Sequence, residues 1–364
     1  MRIFIRADAS PQIGTGHLVR CRTLASELRA RGADVRFVCR AHPGHANKLV
    51  EDEGFRVEAL PPPVREAQAE PGYSAWLGVS QDEDAGQTLG AMGGGCADLL
   101  IVDHYALDAH WERAVRQGTR RIMVIDDLAN RPHDCDILLD QTYGAEASDR
   151  YKGLVPLDCM LLLGPRYALL RPEYRLLGPR LRDKVERVLV FFGGADLDNV
   201  TGLALDALAA PELAMLDVDV VIGPANPHRE AIEAKAATRG RVALHQPRPH
   251  LADLMSRADL AIGAGGATTW ERLCLGLPAI IVAIAENQVQ SSRALSAAGL
   301  IDYAGELSAV TVQSLRARIS ALLDRERLSH LSRTGPSAVD GRGALRTAEL
   351  LMPGIQSGPT SGRA

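Results

Sequence analysis

The sequence contains no apolar run approaching the roughly 20 residues that cross a bilayer, so stable membrane insertion is not expected. Its opening mixes Ile3, Phe4 and Ile5 with Arg2, Arg6 and Asp8, the pattern of a strand rather than of a signal peptide. The six cysteines, at 21, 39, 96, 135, 159 and 274, form no CxxC pair. Reduced thiols in a cytoplasmic protein are therefore expected rather than a disulfide framework. An excess of one charge is also missing. The formal net charge is −4 and the arginines, though far more numerous than the lysines, are scattered, which gives no general attraction for nucleic acid. Neither a GxGxxG dinucleotide fingerprint nor a GxxxxGK[ST] phosphate loop occurs. What is present is a chain of 364 residues, 46% of them hydrophobic, enough for substantial cores and more readily two domains than one.

Short apolar runs alternate with helical stretches. Strands are expected at 1–7, 35–39, 55–59, 97–103, 121–125 and 137–139, with helices at 17–31, 45–53, 81–92 and 108–117 between them. This βαβ rhythm predicts a mostly parallel sheet covered by helices. Pro61, Pro62 and Pro63 interrupt it, and 64–80 reads as an excursion whose Tyr73, Trp76 and Leu77 either cover a pocket or anchor a surface loop. Pro165, Pro172 and Pro179 mark a domain boundary. The rhythm then restarts, with strands at 188–192, 216–222, 242–244, 260–262 and 279–282, helices at 199–209 and 228–237, and a terminal helix at 313–325. The domain expectation is 1–164, a linker at 165–184, a second domain at 185–350 and a flexible tail at 351–364. The fold class is α/β with two Rossmann-like domains facing an interdomain cleft, where ligands meet the carboxyl ends of the strands.

Chemistry concentrates at strand ends. Gly14-Thr15-Gly16-His17 follows the first strand and opens a helix, so backbone N–H groups there suit an anion. His17 either acts as a base, with an ordinary pKa of about 6.5, or merely caps the helix. Asp8 either orients it or caps a strand end. In the second half, Phe191–Asn199 is a ligand loop or an ordinary turn, with Asp198 or Asn199 capping the next helix. Gly265, Gly266, Ala267, Thr268 and Thr269 offer backbone and hydroxyl groups to a diphosphate, and Glu271 offers a carboxylate to a sugar diol; the alternative is a capped helix with Trp270 in the core. Asp103-His104-Tyr105 and Asp126-Asp127 invite a metal reading, but neighbouring strand side chains alternate faces, and no metal is expected. Tyr105 is a candidate for a sugar or its acetamido group. Glu286-Asn287-Gln288 can recognise hydroxyls, acetamido groups or phosphate, or satisfy a helix entrance.

Six segments taken together resemble one family: IRADASPQIGTGHLVRC, WLGVSQDEDA, IVDHYALDAHWE, VIDDLANRPHDCDILLDQ, GAGGATTWERLCLGLPAI and AIAENQ. The chain resembles the UDP-2,4-diacetamido-2,4,6-trideoxy-β-L-altropyranose hydrolases of pseudaminic acid biosynthesis over most of 1–305. That family is similar in turn to the GT-B transferase that adds GlcNAc from UDP-GlcNAc in building peptidoglycan lipid II. The resemblance implies a GT-B-like fold, UDP and the linked sugar as substrate, water as acceptor and no cofactor. It makes His17 the catalytic base in an inverting displacement at the anomeric carbon. Gly14 and Gly16 would shape the approach of water and phosphate, Tyr105 and Asn287 would position the sugar, Gly265–Thr269 would stabilise the departing diphosphate, and Glu271 would bind ribose. A sugar transferase using an alcohol acceptor and a noncatalytic sugar-nucleotide-binding protein are the alternatives.

Overall fold

The computed structural model describes residues 1–63, 72–144, 149–246, 248 and 250–353. The chain folds into two compact units, one made of Met1–Leu169 with the segment from Arg342 onward, the other of Leu170–Gly341.

In the first unit the elements run β1 (Arg2–Ala7), α1 (Gly16–Ala30), β2 (Asp34–Arg40), α2 (Lys48–Glu51), β3 (Arg56–Leu60), α3 (Gln81–Met92), β4 (Leu99–Asp103), α4 (Ala109–Val115), β5 (Ile122–Ile125), β6 (Ile137–Asp140) and β7 (Met160–Leu163). The strands form one parallel sheet in the order β3-β2-β1-β4-β5-β6-β7. Both faces are covered, which is why the strands read as continuous apolar runs. Ile3, Ile5, Leu99 and Ile101 point into one core, Phe4, Leu100 and Val102 into the other, as the two-residue period requires.

In the second unit the elements are α5 (Pro172–Leu177), β8 (Arg187–Phe191), α6 (Val200–Leu208), β9 (Asp217–Val221), α7 (Arg229–Arg239), β10 (Val242–His245), α8 (Ala252–Arg257), β11 (Leu260–Ala264), α9 (Thr268–Cys274), β12 (Ala279–Ala283), α10 (Glu286–Ala297), β13 (Asp302–Glu306), α11 (Val312–Ala321) and α12 (Arg325–Ala338). Its sheet is again parallel, in the order β10-β9-β8-β11-β12-β13.

The last helix, α13 (Gly343–Leu351), belongs with the first unit. The sequence reading attaches residues up to 350 to the second domain. Packing decides otherwise. Ala344, Ala348, Leu351 and Met352 fall on one helical face and join the core under α1, while Arg31 pairs with Glu349 at 3.2 Å. Gly343 lies so close to the chain at Ala168 that a Cβ would come 2.2 Å from that carbonyl oxygen. The helix expected at 313–325 is α11, which stops at Ala321 and is not the last: Asp324 caps a new start by accepting from Arg327 N at 2.9 Å, and α12 and then α13 follow. Most of the expected tail, and residues 64–71 of the expected 64–80 excursion, lie outside the described residues. Among the described residues no helix is long and apolar enough to cross a membrane.

Candidate active site

β1 has β2 on one side and β4 on the other, so the winding of the first sheet reverses between β1 and β4. Loops leaving the carboxyl ends of such a pair diverge and leave a crevice. His17 stands there on the first turn of α1, and Asp103 is the last residue of β4. Their side chains meet, with His17 Nδ1 2.6 Å from Asp103 Oδ1. An ionised carboxylate only accepts, so Nδ1 carries the hydrogen and the neutral ring keeps Nε2 as its acceptor. Nε2 has no hydrogen bond among the described residues.

Arg20, one turn further along α1, braces the same carboxylate through Nε at 2.6 Å and Nη2 at 2.7 Å. Its Nη1 reaches Asp127 at 2.9 Å, and Asp127 in turn accepts from the Tyr105 hydroxyl. The Tyr105 ring stands edge-on to His17, with centroids 4.5 Å apart, and Trp76 stacks on Tyr105 at 5.6 Å. Tyr73 packs against both Trp76 and Tyr105. His17 is thus held by a carboxylate on one side and an aromatic wall on the other, and is 7% exposed. Burial alone would raise the Asp103 carboxyl, but Arg20 and then His17 hold it well below the usual carboxylate range. Burial and the Asp127 charge push the Tyr105 phenol well above its ordinary value.

The orienting carboxylate is therefore Asp103 and not Asp8. Asp8 is fully buried in a separate network, held by Arg6 at 2.5 and 2.9 Å, by the Arg40 backbone N–H at 2.7 Å and by His42 at 3.2 Å. Asp84 completes it, accepting from Arg6, Arg40 and the Trp111 indole. Before α1, Gly14 has a φ of +78°, which turns the chain so that its N–H reaches Ser10 O at 2.8 Å. Gly16 opens α1 with free space around it, and no side chain caps that helix start.

The second sheet reverses between β8 and β11. After β11, the Gly265 N–H donates to Gln288 Oε1 at 3.1 Å, and the same oxygen accepts from Ile284 N at 3.1 Å. A Cβ on Gly265 would come 2.6 Å from Ser292 Oγ, so this glycine lets the loop lie against α10. Gly266 has open space around it, Ala267 is exposed, and Thr268 is half-buried at the start of α9. Thr269 is buried, and its Oγ1 already accepts from Arg272 Nη2 at 3.1 Å. Burial pushes the Glu271 carboxyl up to about 7, partly offset by the Tyr174 hydroxyl and by Arg272. Asn287 is exposed in the first turn of α10, while its neighbour Gln288 ties the two loops together. The loop after β8 is a helix entrance in which Asp196 accepts from Val200 N and Thr201 N, and Asn199 from Gly202 N; Asp198 has no such bond among the described residues.

Gly14, Gly16, His17 and Tyr105 thus gather at one strand-end site, and Gly265, Gly266, Ala267, Thr268, Thr269, Glu271 and Asn287 around another. Sequence reasoning missed Arg20 and the pairing of Asp103 with His17, and it gave Asp127 no link to Arg20 or Tyr105. The available signals were the i,i+3 spacing of His17 and Arg20 and the position of Asp103 at the end of a buried strand. Among the described residues no group of three or more His, Cys, Asp or Glu is placed to hold a metal ion, and the six cysteines are free.

Comparison with known proteins places this geometry in a wider setting. The chain superimposes on a crystal structure of MurG from Acinetobacter baumannii with a TM-score of 0.64, at 15% identity over 96% of this chain and 98% of that one. The fold class is GT-B-like, an α/β chain of two Rossmann-like domains. Among curated proteins it is similar to the UDP-2,4-diacetamido-2,4,6-trideoxy-beta-L-altropyranose hydrolase of Campylobacter jejuni, 27% identical over 300 residues that cover 82% of this chain and 97% of the relative. It is also similar to the spore coat polysaccharide biosynthesis protein SpsG of Bacillus subtilis, 24% identical over 97% of this chain and 98% of the relative. No family model matches the chain.

Proposed function

We propose that the chain is an inverting UDP-sugar hydrolase acting on UDP-2,4-diacetamido-2,4,6-trideoxy-β-L-altropyranose, releasing UDP and the free 2,4-diacetamido sugar. The observation that carries the reading is the His17–Asp103 pair, which leaves Nε2 as an unengaged acceptor beside an aromatic wall. The similarity to the Campylobacter jejuni hydrolase, covering 82% of this chain and 97% of the relative, supports the substrate.

In the proposed reaction a water donates its proton to His17 Nε2 as its oxygen bonds to the anomeric carbon. The C1–O bond breaks on the opposite face, and UDP departs with the electron pair. Asp103 holds the ring in the required tautomer and stabilises the imidazolium that forms. Trp76 and Tyr105 present ring faces and edges to the sugar, while Asn287 binds one of its polar substituents. Backbone amides of Gly266, Ala267 and Thr268 receive the growing charge on the leaving diphosphate. Glu271 accepts from the ribose hydroxyls.

The similarity to MurG favours a second reading, transfer of the sugar to an alcohol rather than to water. The two separate in one experiment. Purified protein is incubated with the UDP-sugar and no acceptor, and phosphorus and proton NMR follow the products. Hydrolysis yields UDP and free sugar, first in the inverted anomeric form. Bound but unconverted substrate, turned over only when an alcohol is added, overturns the hydrolase and establishes the transferase.

A further inference from the structure

Arg272 is the odd residue of the second unit. It lies on α9, two residues before that helix ends, and is 2% exposed. Its Nη2 donates to Ala264 O at 2.6 Å and to Thr269 Oγ1 at 3.1 Å, while its Nε has no partner among the described residues. No carboxylate forms an ion pair with it among the described residues, in a chain whose other fully buried arginines, Arg6 and Arg40, lie against Asp84. Arg182 is the informative exception. It too lacks a carboxylate contact, yet carbonyl oxygens of Ala258, Arg180, Leu275 and Met255 surround its guanidinium and satisfy it. Arg272 has one carbonyl, one hydroxyl and an orphaned N–H.

Its position is equally specific. A Cβ at Gly263 would come 2.4 Å from Arg272 Nη1 and 2.5 Å from Phe191 O. Gly263 and Phe191 are paired across β11 and β8, the two strands between which the second sheet reverses. The guanidinium therefore occupies the strand-end position where α/β sheets meet their ligands, and the absence of a Cβ at Gly263 leaves room for both it and the Phe191 carbonyl oxygen. Taking a cation out of water costs more than two neutral hydrogen bonds return. The one carboxyl that acts on it, Glu271, is itself pushed up to about 7 by burial and offsets the charge only in part at neutral pH. Burial lowers the Arg272 pKa to about 10, and it stays charged at neutral pH. Its two acceptors, Ala264 O and Thr269 Oγ1, flank the Gly265–Thr268 segment, where Gly266 leaves open space.

We infer that Arg272 is the electrostatic anchor of a diphosphate site, fixing the Ala264–Thr269 loop and supplying a positive charge, held in no ion pair, that a bound nucleoside diphosphate neutralises. It is a positioning residue, acting through the loop amides and the Thr269 hydroxyl. This rests on the nucleotide reading above and deepens it: the sequence assigns the grip to glycines and hydroxyls, whereas the structure puts a full charge behind them. Charge, not packing, is then what the site requires of residue 272, and the ligand's phosphates, not its uridine, feel it.

The test compares wild-type protein with Arg272→Gln, which removes the charge but keeps an amide donor, and Arg272→Lys, which keeps the charge. UDP and pyrophosphate binding are measured by calorimetry, and uridine binding by ligand-observed NMR, after circular dichroism confirms folding. Arg272→Gln is expected to weaken UDP and pyrophosphate at least tenfold while uridine changes less than twofold, and Arg272→Lys to keep the UDP-to-uridine ratio within threefold of wild type. Equal weakening of UDP and uridine, or unchanged UDP binding by Arg272→Gln, overturns the anchor and leaves the proposed function standing. Wild-type binding of pyrophosphate but not UDP, lost in Arg272→Gln, keeps the anchor and overturns the proposed function. Should Arg272→Gln not fold, Arg272→Lys carries the test: a retained ratio supports the charge, and a tenfold loss overturns it.

Discussion

The two strand-end sites differ in how their charges are settled. Around His17 every charge has a neighbour of opposite sign: Asp103 and Asp127 share Arg20, and the histidine leans on Asp103. Around Gly265 the pattern is looser, with a buried guanidinium that forms no ion pair among the described residues, open space at a glycine and an acid pushed towards neutrality. A site that moves a proton needs its groups fixed in position and protonation state before substrate arrives. A site that holds an anion keeps its positive charge unspent. On this account the first unit does chemistry and the second grips, and substitutions in the two should fail differently.

The largest expected effect is at His17. In His17→Ala, kcat falls by about 10²- to 10⁴-fold, the usual worth of a general base, while the dissociation constant for UDP measured by calorimetry stays within about twofold. A parallel loss of UDP affinity would erase the division between the sites. Asp103→Asn follows. An amide can accept from Nδ1 or donate to it, so the tautomer is no longer fixed, and Arg20 loses its bidentate partner. The expectation is a loss of kcat of about 10²-fold or more together with a lower melting temperature, since Arg20 is left buried with only Asp127.

Glu271 sharpens the comparison through pH. Its folded pKa of about 7 lies above the ordinary value of 4.5, so the folded protein binds this proton more tightly than the unfolded chain. The stability it contributes is fully present below pH 4.5 and is lost as pH rises through 7. Ribose binding needs the ionised form, so UDP affinity should rise over the same range in which stability falls. Glu271→Gln mimics the protonated acid. It is expected to match wild type in UDP affinity at pH 6, to bind several-fold more weakly at pH 8, and to melt higher than wild type at pH 8 in the absence of nucleotide. A wild-type affinity independent of pH would remove Glu271 from the site.

The smallest effects concern two adjacent glycines. Gly265→Ala puts a methyl group 2.6 Å from Ser292 Oγ and should cost about 1–3 kcal/mol in denaturant unfolding, as overpacking does. Gly266→Ala meets nothing within 4 Å and should cost under about 0.5 kcal/mol in stability, its effect appearing instead as weaker UDP binding. If both variants destabilise alike, the open space at Gly266 is not reserved for a ligand.

The fold was legible where apolar runs are uninterrupted. Leu99–Val102 and Ile280–Val282 are buried on both sheet faces and read as strands without context. Asp302–Glu306 was not legible, because an edge strand reading Asp-Tyr-Ala-Gly-Glu shows neither an apolar run nor clean alternation. The attachment of α13 was hidden for another reason: an apolar stripe says that a helix packs, not on which sheet. At the candidate site the glycine loops and His17 stood out locally. The partner of His17 did not, since Asp103 lies 86 residues away and only the β1–β4 pairing brings it near. Arg272 was invisible for the opposite reason, as an arginine on a short helix ordinarily reads as surface.

The most direct test of the account is turnover of the UDP-sugar in ¹⁸O-labelled water without acceptor, comparing wild type with His17→Ala and locating the label by mass spectrometry and phosphorus NMR. The account predicts that wild type places ¹⁸O on the anomeric carbon of the free sugar and none in UDP, and that His17→Ala loses nearly all turnover. Label in the diphosphate, or wild-type rates retained by His17→Ala, would contradict it.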